Sequence, residues 1–208
     1  TIDKAITLDG NGNTLTSTAG RAINVDTEGD VIISNLTIEA GERAVNIINK
    51  PANVTLDKVT ATAKNNAVML ATSATKAKLT VNDSDLTGLA VVNVASAGSE
   101  VKINNTKITN VDANEAENYG AITVWSTGAN ATVDVTGGSI TVAGDSRKAY
   151  VFAEDATVTG VDDIGYIVAT IGDAGYESLA AAIEDAKAGE TIKLVRDVES
   201  SKIITIDK

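Results

Sequence analysis

The sequence predicts an all-β chain wound as a right-handed parallel β-helix, a solenoid of about seven rungs with one short amphipathic helix near the C-terminus. Three observations favour this fold. Short apolar runs recur at a nearly constant spacing, apolar and polar residues alternate within each run, and each repeat holds three such runs separated by Asn, Asp, Gly or Ser. Alternation with a period of two indicates strands with one buried face rather than helices.

The first strand of each repeat defines the period. Its copies are Ile6-Thr7-Leu8, Val31-Ile32-Ile33, Val54-Thr55-Leu56, Leu79-Thr80-Val81, Val101-Lys102-Ile103 and Val133-Asp134-Val135. They begin 25, 23, 25, 22 and 32 residues apart. Such short strands cannot fold alone, but copies stacked about 4.8 Å apart share one interior, and the crossover preference makes the winding right-handed. A β-sandwich explains the spacing equally well but not three registered runs in each repeat.

Two further strands complete each repeat. Apolar positions of the second strand are Leu15, Ile38, Ala61, Leu86, Ile108 and Ile140, and those of the third begin at Ile23, Val45, Val68, Val92, Ile122 and Tyr150. Between the apolar positions of the third strand lies an outward column of Asn24, Asn46, Met69, Asn93, Thr123 and Val151. We expect stacked Asn and Thr side chains to form hydrogen bonds from rung to rung and so to stabilise the coil.

The pattern changes after about Val158. Ser178 is a suitable N-cap for a helix whose apolar face holds Leu179, Ala182, Ile183 and Ala186, and Gly189 suits the position just past its end. Strands are predicted to follow at 191–195 and 203–206. The predicted organisation is therefore β-helix rungs over 1–170, then a helix and strands over 171–208.

This C-terminal segment carries a family resemblance. Tyr176-Glu177-Ser178-Leu179, Ala182-Ile183 and Gly189-Glu190-Thr191-Ile192-Lys193-Leu194 resemble the opening of pectate-lyase-like right-handed β-helix proteins, in which the helix caps the start of the coil. The run from Ile6 to Leu15 is similar to the next rung of those proteins. The order is inverted here, so 171–208 resembles the start of a following tandem repeat.

The two ends of the chain repeat each other. Thr1-Ile2-Asp3-Lys4 recurs as Thr205-Ile206-Asp207-Lys208, which leads us to expect one period of a tandem array, 204 residues long once the four repeated residues are subtracted from 208. Such arrays resemble the adhesin-like surface proteins of Gram-positive bacteria. The resemblance implies an extracellular module at the bacterial cell surface, a spacer, display platform or adhesin. Its expected partners are neighbouring copies, stacked head to tail, and host or cell-surface glycans or proteins.

Composition excludes several function classes. The chain has no His and no Cys, so neither a His-dependent nucleophilic triad, nor a His- or Cys-ligated zinc site, nor a disulfide is possible. A net charge of −11 argues against nucleic acid as a partner. No run approaches the roughly 18 apolar residues of a membrane span, so membrane insertion is not expected.

We expect no catalytic residue, no metal and no cofactor. Polysaccharide lyases and hydrolases need paired carboxylates or a carboxylate-bound Ca²⁺, and the outward columns of the first two strands bring no two acids to adjacent rungs. Asp9-Gly10-Asn11-Gly12-Asn13 has oxygen ligands at alternate positions but is interpreted as a tight turn. The alternative function is a polysaccharide-binding or polysaccharide-degrading β-helix. A minor alternative is an ice-binding Thr face, which charged residues interrupt.

The longest repeat contains the best candidate for partner contact. Its insertion, residues 110–119, is acidic and includes Asp112, Glu115, Glu117 and Tyr119. Trp125 follows the inward-pointing Val124, so alternation turns its indole outward near this insertion. The sequence thus predicts a contact site of these five side chains, with the alternative that the insertion merely shields Trp125.

Overall fold

Three faces of parallel strands wind into a β-solenoid of about six turns in the computed structural model of this chain. The structure describes residues 1–111, 119–142, 148–160, 168–172, 174–176, 178–194, 198 and 203–206. Within them the all-β parallel solenoid predicted from the sequence is confirmed, and so is the single helix near the C-terminus.

The strands follow the three predicted sets. The first face holds β1 (Ile6–Asp9), β4 (Asp30–Ser34), β7 (Asn53–Asp57), β10 (Lys78–Asn82) and β17 (Thr157–Thr159). The second holds β2 (Thr14–Ser17), β5 (Thr37–Ala40), β8 (Thr60–Ala63) and β11 (Asp85–Gly88). Two longer strands run through both faces, β13 (Glu100–Asn110) and β15 (Thr132–Thr141). The third holds β3 (Arg21–Val25), β6 (Arg43–Ile47), β9 (Asn66–Leu70), β12 (Val92–Val94), β14 (Gly120–Val124) and β16 (Lys148–Val151).

Inward side chains form columns that run along the coil. One column on the first face is Val31, Val54, Leu79, Val101 and Val133, each at most 1% exposed. Full burial of one such side chain contributes about 1.5–3 kcal/mol, so the columns supply most of the driving force for folding. The strand pairings match the predicted alignment, Ile6 with Val31 and Val92 with Ile122 included.

The corner between the first and second faces needs one residue in the left-handed region. That residue is Asn35, Lys58, Asp83, Asn105 or Gly137 in successive rungs, with φ between 44° and 66°. Asn, Asp and Gly tolerate this conformation better than other residues do. Asn105 also donates from Nδ2 to Asp83 Oδ1 at 2.7 Å, which links two corners along the coil.

The two ends of the coil differ. At the first rung the inward side chains Ile6 and Leu15 are 40% and 37% exposed, because no further rung of the described chain covers them. At the other end Tyr150 stands in register with Ile122, and its ring stacks on Phe152 with centroids 5.2 Å apart. Both ends therefore expose an apolar side chain, aliphatic at the first rung and aromatic at the last, where Tyr150 is 36% exposed.

The C-terminal segment forms a small antiparallel sheet with the order β19 (Ala174–Tyr176), β18 (Ala169–Ile171), β20 (Ile192–Leu194). The helix α1 (Leu179–Asp185) packs against these three strands. Ser178 caps it as predicted, since its Oγ accepts from the N–H of Ala181 at 3.1 Å. The Tyr176 hydroxyl donates to Asp185 at 2.5 Å, which raises the pKa of Tyr176.

Two details of the predicted C-terminal segment need correction. The helix ends at Asp185, earlier than the expected position before Gly189, which lies in a separate turn. The predicted strand over 203–206 is wrong for this chain. Those residues pair with no strand in the described part of the chain, and a strand exists only where a neighbour completes its ladder.

A matched pair of glycine substitutions tests the stacked corner. Gly138 has a φ of +88° and lies so close to the preceding rung that an added Cβ would be 2.2 Å from the Thr106 carbonyl oxygen. Gly12 has a similar φ of +76° but open space around it. We expect Gly138→Ala to lower the free energy of unfolding by about 2–4 kcal/mol and Gly12→Ala by about 1 kcal/mol in urea denaturation. Equal losses would contradict the close approach of the two rungs.

Candidate ligand-binding groove on the third face

Three acids on the outward surfaces of the first two faces have partners. Asp85 lies 3.7 Å from Lys107 Nζ, and Asp134 accepts a hydrogen bond from Thr159 at 2.8 Å. Glu39, which interrupts the Thr column of the second face, accepts from Thr16 at 3.1 Å. Among the described residues no group of three or more acids is placed to hold a metal ion.

The Asp9–Asn13 segment is built as a turn. Asp9 Oδ1 accepts from the backbone N–H of Asn11 at 2.9 Å and from Asn35 Nδ2 at 3.1 Å. These two hydrogen bonds, the backbone one first, hold the pKa of Asp9 below its ordinary value. The carboxylate therefore already orders its own turn and links it to the next rung.

The third face carries a groove. It has a volume of about 300 Å³ and lies along the outer surface of β6, β9 and β12 as far as the two residues that flank β14 on the next rung. Strands stacked about 4.8 Å apart make it about 14 Å long along the coil axis. Its principal lining side chains are Arg43, Asn66, Met69, Asn93, Tyr119 and Trp125.

Two aromatic rings form one wall of this groove. Tyr119 immediately precedes β14 and Trp125 immediately follows it, and their rings meet edge to face with centroids 5.1 Å apart and an interplanar angle of 87°. The backbone N–H of Trp125 donates to the Val94 carbonyl at 3.0 Å, and the backbone carbonyl of Trp125 accepts from the N–H of Gly128 in a turn of 3₁₀ helix. Trp125 is thus held at the end of its strand with a half-buried ring.

The floor of the groove contains an unsatisfied acceptor. Asn93 is 5% exposed, and its Oδ1 has no hydrogen-bond partner. The cause is an interruption of the predicted Asn column. Asn46 Nδ2 donates to Asn24 Oδ1 at 3.0 Å, but Met69 occupies the next rung and offers no donor, so Asn46 Oδ1 is also left without a partner. A buried acceptor without a partner is unfavourable by about 1–3 kcal/mol, and a ligand donor would relieve that penalty.

One cation stands at the end of the groove. Arg43 is in register with Arg21, and its Nε lies 3.6 Å from Glu42 Oε1 without a hydrogen bond. Glu42 is shared, since Arg21 Nε lies 4.0 Å from its other oxygen. Among the described lining residues Arg43 is the charged one, and Glu42 stands just outside the lining as its partner.

The structure brings together two of the five predicted contact residues, Tyr119 and Trp125. Asp112, Glu115 and Glu117 lie outside the described residues. Sequence reasoning did not select Asn93 or Arg43 as site residues. The sequence does show that Met69 interrupts the outward Asn column. It does not show that the column is buried, and burial is what leaves the Oδ1 of Asn93 without a partner.

No family model, no curated protein and no solved structure matches this chain. The helix in the described part of the chain is too short and insufficiently apolar to cross a membrane.

The single tryptophan of the chain reports on the groove. Tyr119→Ala removes the edge-to-face contact and admits water to the indole, so we expect a red shift of tryptophan emission and a loss of about 0.5–1.5 kcal/mol of stability. Tyr150→Ala is the matched control, because Tyr150 stacks on Phe152 in the inward columns. An equal shift in both variants would contradict the placement of Trp125 beside Tyr119.

Proposed function

We propose that this chain is a non-enzymatic structural and adhesive module of a repetitive extracellular surface protein. The coil serves as a spacer and display platform, and the third-face groove is its contact site for a partner. In this proposal the module belongs to the adhesin-like, pectate-lyase-like arrays of Gram-positive bacteria, where successive copies stack head to tail.

The regular coil supports the structural part of this proposal. Rung-to-rung hydrogen bonds run along its surface, for example from Asn104 to Asn82 at 2.8 Å and from Asn53 to Asp30 at 2.8 Å. A solenoid built from nearest-neighbour contacts can be extended by further units without a new core. The net charge of −11 favours solubility of a long array.

The unsatisfied Oδ1 of Asn93 beside the Tyr119–Trp125 pair carries the adhesive part. An aromatic wall accepts the C–H face of a ring, and a buried acceptor needs a hydroxyl or N–H donor. A sugar supplies both groups. The length of the groove, about 14 Å, suits an oligosaccharide of a few units lying along the coil axis. Arg43 at one end adds a donor that tolerates an anionic substituent.

Substitutions in the groove test the proposal. After a screen of the chain against bacterial and host glycans, isothermal titration calorimetry gives the dissociation constant of the best oligosaccharide for every variant, including the one that lacks the single tryptophan. We expect Trp125→Ala and Asn93→Leu each to weaken binding about 10- to 100-fold, because each removes roughly 1–3 kcal/mol of contact. Thr80→Ala, on the first face, is the control.

Asn93→Leu separates a binding role from a structural one. Replacing an unpartnered buried amide by an apolar side chain of similar size leaves stability unchanged or raises it. Loss of binding with an unchanged unfolding midpoint therefore supports the site. If binding survives Trp125→Ala and removal of residues 112–118, the contact site is wrong. Shortening of the oligosaccharide by the chain, with or without Ca²⁺, would favour the polysaccharide-degrading alternative.

A further inference from the structure

The third face has an open edge at β3. In the described part of the chain β3 is the last strand of this face. β6 pairs with one side of it, and on the other side only Ile2 does, through a parallel bridge to Val25. The N–H of Ile2 donates to the Asn24 carbonyl at 2.7 Å, and the N–H of Asp26 donates to the Ile2 carbonyl at 2.8 Å. Since alternate residues of a strand face the same side, the N–H of Asn24 and the carbonyl of Ala22 also face this edge.

A second segment has the same sequence as the one that begins to fill the edge. Thr205 and Ile206 repeat Thr1 and Ile2, and the identity continues over four residues. If Ile206 takes the place of Ile2 opposite Val25, parallel pairing sets Thr205 beside Asn24 and Ile204 opposite Ile23. Ile204 and Ile206 then enter two apolar columns, and Thr205 joins the outward column.

In this chain the segment 203–206 has no such environment. Its isoleucines Ile203, Ile204 and Ile206 are 94%, 45% and 70% exposed. The apolar–polar alternation of 204–206 is that of a third-face strand, yet these residues pair with no strand in the described part of the chain. Exposed strand segments and open edges pair readily when their patterns match.

We propose that residues 204–206 of one copy form the strand that adds to β3 of a second copy, with Ile204 opposite Ile23 and Ile206 opposite Val25. The inference rests on the proposed array of modules and specifies the junction between them. Because the added strand is parallel to β3, it extends the third face of the second coil by one strand. The junction also places the first copy next to the first rung of the second copy, where Ile6 and Leu15 are exposed.

The chain's own Ile2 competes for part of this site. A separate molecule must displace Thr1 and Ile2 from β3 before its own 205–206 can pair there. In a two-copy chain, residue 204 of the first copy is followed directly by residue 1 of the second. Thr1 and Ile2 of the second copy then continue the strand that Ile204 begins, so they no longer compete with it. The junction then forms within one molecule at a high effective concentration.

The test compares the 208-residue chain with this two-copy chain. The register directs the N–H of Asn24 in the second copy to the carbonyl of Ile204 in the first. We expect hydrogen exchange of this amide to slow about 100-fold or more in the two-copy chain relative to the single chain. Unchanged exchange at Asn24 would overturn the strand pairing.

Two substitutions check the register. Ile204→Asp places a carboxylate in an apolar column of the junction. Thr205→Asp, which in the two-copy chain is made at the equivalent Thr1 of the second copy, places the carboxylate on the outer surface. We expect neither to change the unfolding midpoint of the single chain, and only Ile204→Asp to lower the midpoint and restore fast exchange at Asn24 in the two-copy chain. Equal effects of both, or an effect of Ile204→Asp in the single chain, would overturn the register. Oligosaccharide binding is measured on the single chain, so failure of the junction and failure of the groove are distinguishable.

Discussion

Every rung of this coil has to match the rung before it, because parallel strands place identical positions directly above one another. An apolar residue that points inward on one rung therefore needs an apolar residue at the same position on the next rung, as in Val31, Val54 and Leu79. The same constraint acts on the outer surface, where a side chain finds its hydrogen-bond partner one rung away. The free energy of folding is thus a sum of contacts between neighbouring rungs rather than the property of one central core.

The candidate site arises where this matching fails. Asn24 and Asn46 form a ladder, Met69 interrupts it, and Asn93 then has an acceptor without a donor. The aromatic pair stands one strand further on, where the repeat is longest and the sequence departs most from its period. A regular surface offers a partner nothing distinctive, so recognition is expected at such departures, and here an unsatisfied amide and two aromatic rings line the same groove.

The parts of the fold that depend on local alternation could be predicted from the sequence, and the parts that depend on distant neighbours could not. Period-two patterns defined the columns, and Ser178 marked the start of α1. The antiparallel pairing of β18 with β19 and β20 has no such periodic signal. The groove was half predicted: alternation indicated that Trp125 points outward, but the burial of Asn93 depends on the packing of four strands.

The segment 203–206 shows how local pattern and context can disagree. Its alternation predicts a strand, and the prediction fails in this chain because a strand is a property of two neighbours rather than one segment. Its sequence nevertheless matches the residues that begin to fill the edge of β3, and Ile204 and Ile206 have the apolar character that the columns ending at Ile23 and Val25 require. In the proposed array the unpaired segment 203–206 and the open edge of β3 are two halves of one strand pairing, which a second copy completes.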